Sequence, residues 1–445
     1  MAAGREELGW FARFALIRRE ERAACAWAGL YFFFILASTF ALRPVREQTG
    51  VKEGLDNLPW LFTGTCVAMV LAHPLYSWLV ARFPRRIFLP LFYQFFGAGL
   101  LVFAALFEWT SSEKGSALNW VFFVWFSVFN VFAIAVLRGY LADVFSPASA
   151  KRVFGVIGVG GTLGAMAGSK FNAEFAEHIS RPGFFVVSFV LLELAVFAMT
   201  RVAHAARGIQ REPEEVQREV RVEGSLGSSI QLAYRSPYLL AMSAVMLLSA
   251  MTFTMFYVEQ AAIMGARYSD PSLAKDVRDA LQQADLARID FWTQTLTLVL
   301  ELFLTGRVLS RLGTPVALVA LPAVAVIGFS WLAMSPTFAV LACVQVAMRG
   351  TNYGLASPAR DVLYTPLSRE VKYRVKSLIE TFVWRLGDLL GVWVKPVVGS
   401  LGGSLAFVAV ALGVMWAALA LWLGRTHERK ERELAASAAP APPGA

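Results

Sequence analysis

Seven charged side chains fall where lipid is expected: Arg43, Arg46, Glu47, Glu259, Arg349, Arg385 and Asp388. On insertion scales a charged group at mid-membrane costs about 2.5–3.5 kcal/mol, so each should face a partner or a watery cavity. Arg43, Arg46 and Glu47 recur at i, i+3 and i+4 and therefore share a helix face. Arg43 can pair with Glu47, which leaves Arg46 to meet an anion. Arg385 and Asp388, three apart, read as a structural pair, a gate or a substrate site. Arg349 lies too deep in its span to snorkel. Glu259 and Glu301 are acids at membrane depth, suited to carry a proton or to balance an arginine. Arg138, one turn from the end of its span, and the turn acids Asp143 and Asp361 are further candidates for gating or proton movement. Arginine's planar fork grips carboxylate or phosphate with two bonds, which points to an anionic solute. The same arginines can instead be consumed by Glu47, Glu259, Glu301 and Asp388.

The elements that must hold these groups are apolar helices. Hydrophobic residues make up 57% of the chain and charged residues only 16%, against roughly a quarter charged in soluble proteins. Twelve stretches approach the ~20 apolar residues that a span needs: 24–42, 59–81, 86–107, 119–142, 153–173, 183–203, 237–260, 290–310, 314–333, 336–357, 375–396 and 403–424. The expected fold is an all-α membrane protein with twelve transmembrane helices in two pseudo-symmetric six-helix halves. Its parts are an N-terminal cytoplasmic segment (1–23), a first half (24–203), a polar linker (204–236), a second half (237–424) and a disordered tail (425–445). The segments 142–168 and 360–391 echo each other, each with an Asp-Val turn, a Pro and a basic pair before a helix. Internal repeats of this kind mark secondary transporters. The connection 261–289 reads as a solvated helix rather than a cap on the outer mouth.

Charge placement sets orientation and excludes other classes. With the N-terminus inside, Lys and Arg number 27 in cytoplasmic segments and 11 in outer ones, so both termini are expected in the cytoplasm. The net charge of +9 follows from these span-end residues, and no nucleic-acid partner is expected. The three cysteines and four histidines show no metal spacing, and neither a metal nor a cofactor is expected. No nucleophile–base pair stands out, so an enzyme is not expected. The N-terminal segment has no signal-type apolar core, and Trp10, Phe11 and Phe14 suit a short helix on the membrane surface. Gly160, Gly164 and Gly168, four apart, form a stripe for close helix approach. A nucleotide-loop reading of that run fails, because position 163 is Leu and no strand precedes it.

Two short turns, SWLVARFPRR (77–86) and GRVLSRLG (306–313), resemble the signature turn of the major facilitator superfamily. The acid of that turn is replaced by Ala81 and Ser310, and its glycine by Pro84. Longer segments resemble the nucleotide (ATP/ADP) translocase family of plastids and intracellular bacteria and its bacterial relatives. They are ALRPVREQTG (41–50), LPWL (58–61), LADVFSPASAKRVFG (141–155), FYVEQ (256–260) and SREVKYRVKSLIETFVWRLGD (368–388). The resemblance implies a major-facilitator fold in a bacterial inner (plasma) membrane, working as a monomer by alternating access on a nucleotide or related phosphorylated anion. It also implies roles for charges in spans one, four, seven and eleven. Arg46 stands at the span-one lysine and Glu259 at the span-seven acid. Ser127 replaces the span-four acid, and Asp388 falls near the span-eleven lysine with Arg385 three residues before it. A proton-coupled carrier of another organic anion or drug-like solute is the alternative, with Glu259 or Glu301 as the proton site. A non-transporting scaffold or sensor is the third.

Overall fold

The computed structural model describes residues 17–110, 115–207, 236–272, 274–368, 378–401 and 404–438, with residues 234, 371, 375 and 376. The surface helix expected around Trp10, the basic pair Lys372/Arg374 and most of the linker lie outside the described residues. Every regular element described is helical: α1 (Arg19–Glu53), α2 (Leu58–Arg82), α3 (Arg85–Trp109), α4 (Ala117–Val144), α5 (Pro147–Phe175), α6 (Arg181–Ala205), α7 (Pro237–Arg267), α8 (Lys275–Val299), α9 (Thr305–Arg311), α10 (Gly313–Met334), α11 (Phe338–Thr351), α12 (Ser357–Val362), α13 (Trp384–Ser400) and α14 (Leu405–Ala438).

Among the described residues, eight helices are long and apolar enough to cross a membrane: α1, α2, α3, α4, α6, α7, α10 and α14. The twelve expected spans are not all recovered by length and apolarity. α11 has 14 residues and α13 has 17, each prolonged by a π-helical turn, Asn352–Ala356 or Leu378–Val383. A third π-helical turn, Leu300–Leu304, joins α8 to α9. A π turn adds a residue to the ladder and rephases every side chain after it.

Contacts group the chain into two compact units. Unit 1 holds Met1–Glu219 and Met264–Thr295; unit 2 holds Val220–Ile263 and Leu296–Ala445. The first part of α8 therefore belongs to unit 1.

In unit 1, α1 lies against α5 and α6. A side chain at Gly164 would run into the backbone of Phe33, and one at Gly160 would meet the carbonyl of Gly29. The small-residue stripe thus lets two helix backbones touch. Pro44 sits inside an unbroken α1. Proline removes an N–H and crowds the preceding turn; the buried Asn172 amide donates to the Ala41 carbonyl there at 2.6 Å. The last residue of α1, Glu53, is fully buried. It accepts from Gly115 N, Asn119 Nδ2 and Trp120 Nε1 at 2.9–3.0 Å, so a carboxylate meets the electropositive start of α4.

In unit 2, α7 meets α13 over Gly387 and Gly391; a side chain at Gly391 would lie 2.6 Å from the Met251 carbonyl oxygen. Thr305 Oγ1 donates to the carbonyls of Leu300, at 2.9 Å, and Gly354. One hydroxyl thus ties together carbonyls of two π turns, and the Leu300 carbonyl also accepts from the Thr305 backbone N–H. The tail expected to be disordered is helical through Ala438. Its exposed surface carries i,i+4 ion pairs, Arg429 with Glu433 at 3.6 Å and Arg432 with Glu428 at 3.8 Å, which favour helix.

Candidate substrate-binding site

Unit 1 gathers its charges around one carboxylate. Glu47 Oε1 lies 3.5 Å from Arg43 Nε and 3.2 Å from Arg46 Nη1. The expected Arg43–Glu47 pair is present, but Arg46 is not left over. Its Nη2 donates to Ser127 Oγ at 3.1 Å, and its guanidinium lies 3.7 Å over the Phe123 ring. The aromatic face supplies negative potential that water would otherwise supply. Arg43 also lies 3.7 Å from Asp290 on α8. Lys52, five residues beyond Glu47, meets Asp279 Oδ2 at 2.5 Å, and Gln48 donates to the Asp279 carbonyl.

The expectation that 261–289 is solvated holds for 269–272 and 274–277, which are exposed, and is corrected for the part that follows. Residues 282–287 are buried, and Gln283 donates to Asn172 at 3.2 Å. Asp279 and Asp290 lie eleven residues, or three turns, apart, so α8 presents both on one face. That spacing was the available signal for two acids the sequence reading did not select. Just after α7, Tyr268 donates to Asp285 of α8 at 2.6 Å; burial first, and this bond second, hold its phenol above the usual range. A cavity of about 680 Å³ opens beside this region, lined by Lys52, Arg181, Lys275, Asp276, Asp279 and Gln283 among others.

Unit 2 spreads its polar groups along several helices. Arg385 Nη1 donates to Asp388 Oδ2 at 2.8 Å, and Thr254 donates to the other carboxylate oxygen at 2.9 Å. The i,i+3 pair read from spacing is observed. Glu259 is met by Lys395, at a loose 3.9 Å; the sequence reading did not select this lysine, although it stands beside Pro396 in an apolar helix. Arg349 is buried, at 8% exposure, in the last turn of α11 before the π turn. One turn earlier on the same helix, Gln345 Nε2 donates to Gln260 Oε1 at 2.7 Å.

The remaining candidates stand apart from these groups. Arg138 is exposed on α4, and Asp143 is half-buried at the end of α4. Glu301 is exposed within the π turn after α8. Asp361, exposed at the end of α12, is bound by Lys376 at 2.7 Å, an ordinary surface pair.

The family model of the Major Facilitator Superfamily matches residues 22–365. The chain belongs to this superfamily. It is 24% identical over 364 residues to ADP,ATP carrier protein 1 of Chlamydia trachomatis serovar D, which covers 72% of this chain and 67% of that protein. ADP,ATP carrier protein 1 of Chlamydia muridarum is 23% identical, with the same coverage. Among solved structures, a bacterial homologue of the human lysosomal transporter Spinster matches with a TM-score of 0.55 at 12% identity, covering 93% of this chain and 98% of the other. An auto-inhibited peptide transporter of the POT family matches with a TM-score of 0.58 at 14% identity, covering 92% and 96%. These two likenesses carry the fold. The superfamily member described here is a multi-pass membrane transporter and not an enzyme.

Proposed function

We propose that this transporter exchanges a small anionic solute, a nucleotide or a related phosphorylated compound, by alternating access across a bacterial inner membrane with both termini in the cytoplasm. The observation that carries this reading is the arginine group of unit 1: Arg43 and Arg46 share one carboxylate, Glu47, within the apolar helix α1. An arriving phosphate competes with Glu47 for guanidinium groups already desolvated and stacked on Phe40 and Phe123. Arginine forks suit that exchange, because phosphate and carboxylate use the same bidentate geometry. Arg349 and Arg385 of unit 2 supply further positive charge, with Asp388 and Glu259 as counter-ions that rearrange during the cycle. The contact of Arg46 with Ser127 supports the reading too, since these two positions answer to the span-one and span-four charges of the nucleotide translocases that the chain resembles. The ADP,ATP carrier relatives support the same substrate class.

A thermal-shift screen of purified protein against nucleotides and other anions tests the proposal, because a ligand that binds the folded form raises its melting temperature. Nucleoside di- and triphosphates are expected to raise it. Flat responses to every nucleotide contradict the proposal. The alternative, proton-coupled transport, rests on Glu259 and its long, half-exposed contact with Lys395. Uptake that follows an imposed pH gradient supports that alternative.

A further inference from the structure

The buried amide pair of unit 2 has no role in the charge scheme above. Gln260 is 2% exposed and Gln345 5%. Gln345 gives one N–H to Gln260 at 2.7 Å, yet its own carbonyl oxygen, Oε1, is buried with no hydrogen-bond partner. A buried amide with one edge unmet is costly, and native proteins keep few of them without a reason. Turning the amide over exchanges an unmet acceptor for unmet donors and leaves that edge unmet. An amide nitrogen carries two hydrogens, so Gln345 retains a second N–H beside the unmet oxygen. The result is an acceptor and a donor side by side, held in place by Gln260.

Position adds to this. Gln345 and Arg349 are four apart on α11 and share a face. Gln260 directly follows Glu259 on α7. The amide edge therefore lies one turn from a buried guanidinium, with the π turn Asn352–Ala356 next along the same helix. π turns occur frequently at functional sites.

We propose that Gln345, buttressed by Gln260, is the subsite for the uncharged ring of the solute, an amino-substituted heterocycle such as a nucleobase. A glutamine amide matches the amine donor and ring-nitrogen acceptor of adenine with two bonds. Arg349, one turn along the same helix, then serves the phosphates, and Gln345 separates an aminopurine nucleotide from a bare phosphate chain. This inference rests on the phosphorylated-anion reading and specifies one part of it.

The test compares binding of ADP and of inorganic pyrophosphate to purified full-length protein by calorimetry, for the wild type, Gln345→Leu and the double variant Gln260→Leu/Gln345→Leu. The double variant removes both amides together, which leaves no stranded polar group and keeps the helices packed. In the double variant, and in Gln345→Leu where it folds, ADP is expected to bind about tenfold or more weakly, with pyrophosphate affinity changed less than twofold. Equal ADP affinity in wild type and double variant overturns the subsite and leaves the phosphorylated-anion reading standing. Parallel loss of ADP and pyrophosphate affinity also overturns it, since that is what a purely structural pair would give. A wild type that binds neither probe overturns both proposals.

Discussion

Units 1 and 2 handle buried polarity in opposite ways. Unit 1 neutralises charge with charge: Arg43, Arg46, Glu47 and Asp290 form one connected group, and Lys52 with Asp279 forms a second. Its described helices are regular, and α1 stays helical even through Pro44. The polar contacts described in unit 2 include Arg385 with Asp388, Lys395 with Glu259, and the amides Gln260 and Gln345. All three π-helical turns described also fall there. The contrast assigns the units different tasks: unit 1 is braced by ion pairs that a competing anion can enter, whereas unit 2 places polar groups at interruptions of its helices.

The largest effect that would break this contrast is expected at Glu47. Glu47→Ala takes the shared acid from two mostly buried arginines, and removing one partner of a buried pair costs about 3–5 kcal/mol. The counterpart in unit 2, Asp388→Ala, leaves a more exposed Arg385, and about 1–2 kcal/mol is expected. Melting curves in detergent rank the two, and an equal or reversed ranking would remove the distinction.

The π turns give an intermediate effect. Thr305→Val is nearly isosteric but withdraws the hydroxyl from the carbonyls of Leu300 and Gly354. A loss of about 0.5–1.5 kcal/mol is expected, the net worth of a hydrogen bond, because the Leu300 carbonyl keeps its bond from the Thr305 backbone N–H. A melting temperature equal to the wild type would show that the two turns do not depend on this hydroxyl.

The smallest effect is expected at Lys395. The Glu259 pair is long and each side chain is about one third exposed, so Lys395→Ala should change stability by no more than about 1 kcal/mol. A larger loss, seen in the same melting curves, would mean that unit 2 is also braced by charge.

Much of this was legible in the sequence because helical spacing is fixed. The Arg43–Glu47 and Arg385–Asp388 pairs follow from separations of four and three, and the close approach at Gly164 follows from glycines four apart. What escaped depends on partners from other helices. No spacing within α1 shows that Glu47 serves two arginines, or that Ser127 and Phe123 of α4 close around Arg46. The stretch 261–289 looked solvated throughout because Asp279, Gln283 and Asp285 are polar; Gln283 and Asp285 are buried and Asp279 half-buried, with Asn172, Tyr268 and Lys52 as their partners. The π turns hide from periodicity altogether, since an added residue rotates the face after Leu300 and after Asn352. Lys395 and the amide pair fall in this class, visible as residues but not as contacts.

The central claim is that guanidinium groups at bilayer depth hold an anionic solute. Its most direct measurement is uptake of labelled nucleoside di- and triphosphates by reconstituted vesicles carrying the wild type, Arg46→Ala or Arg349→Ala. Uptake by the wild type with loss in both variants is the expected result; unchanged uptake in both variants would contradict the account.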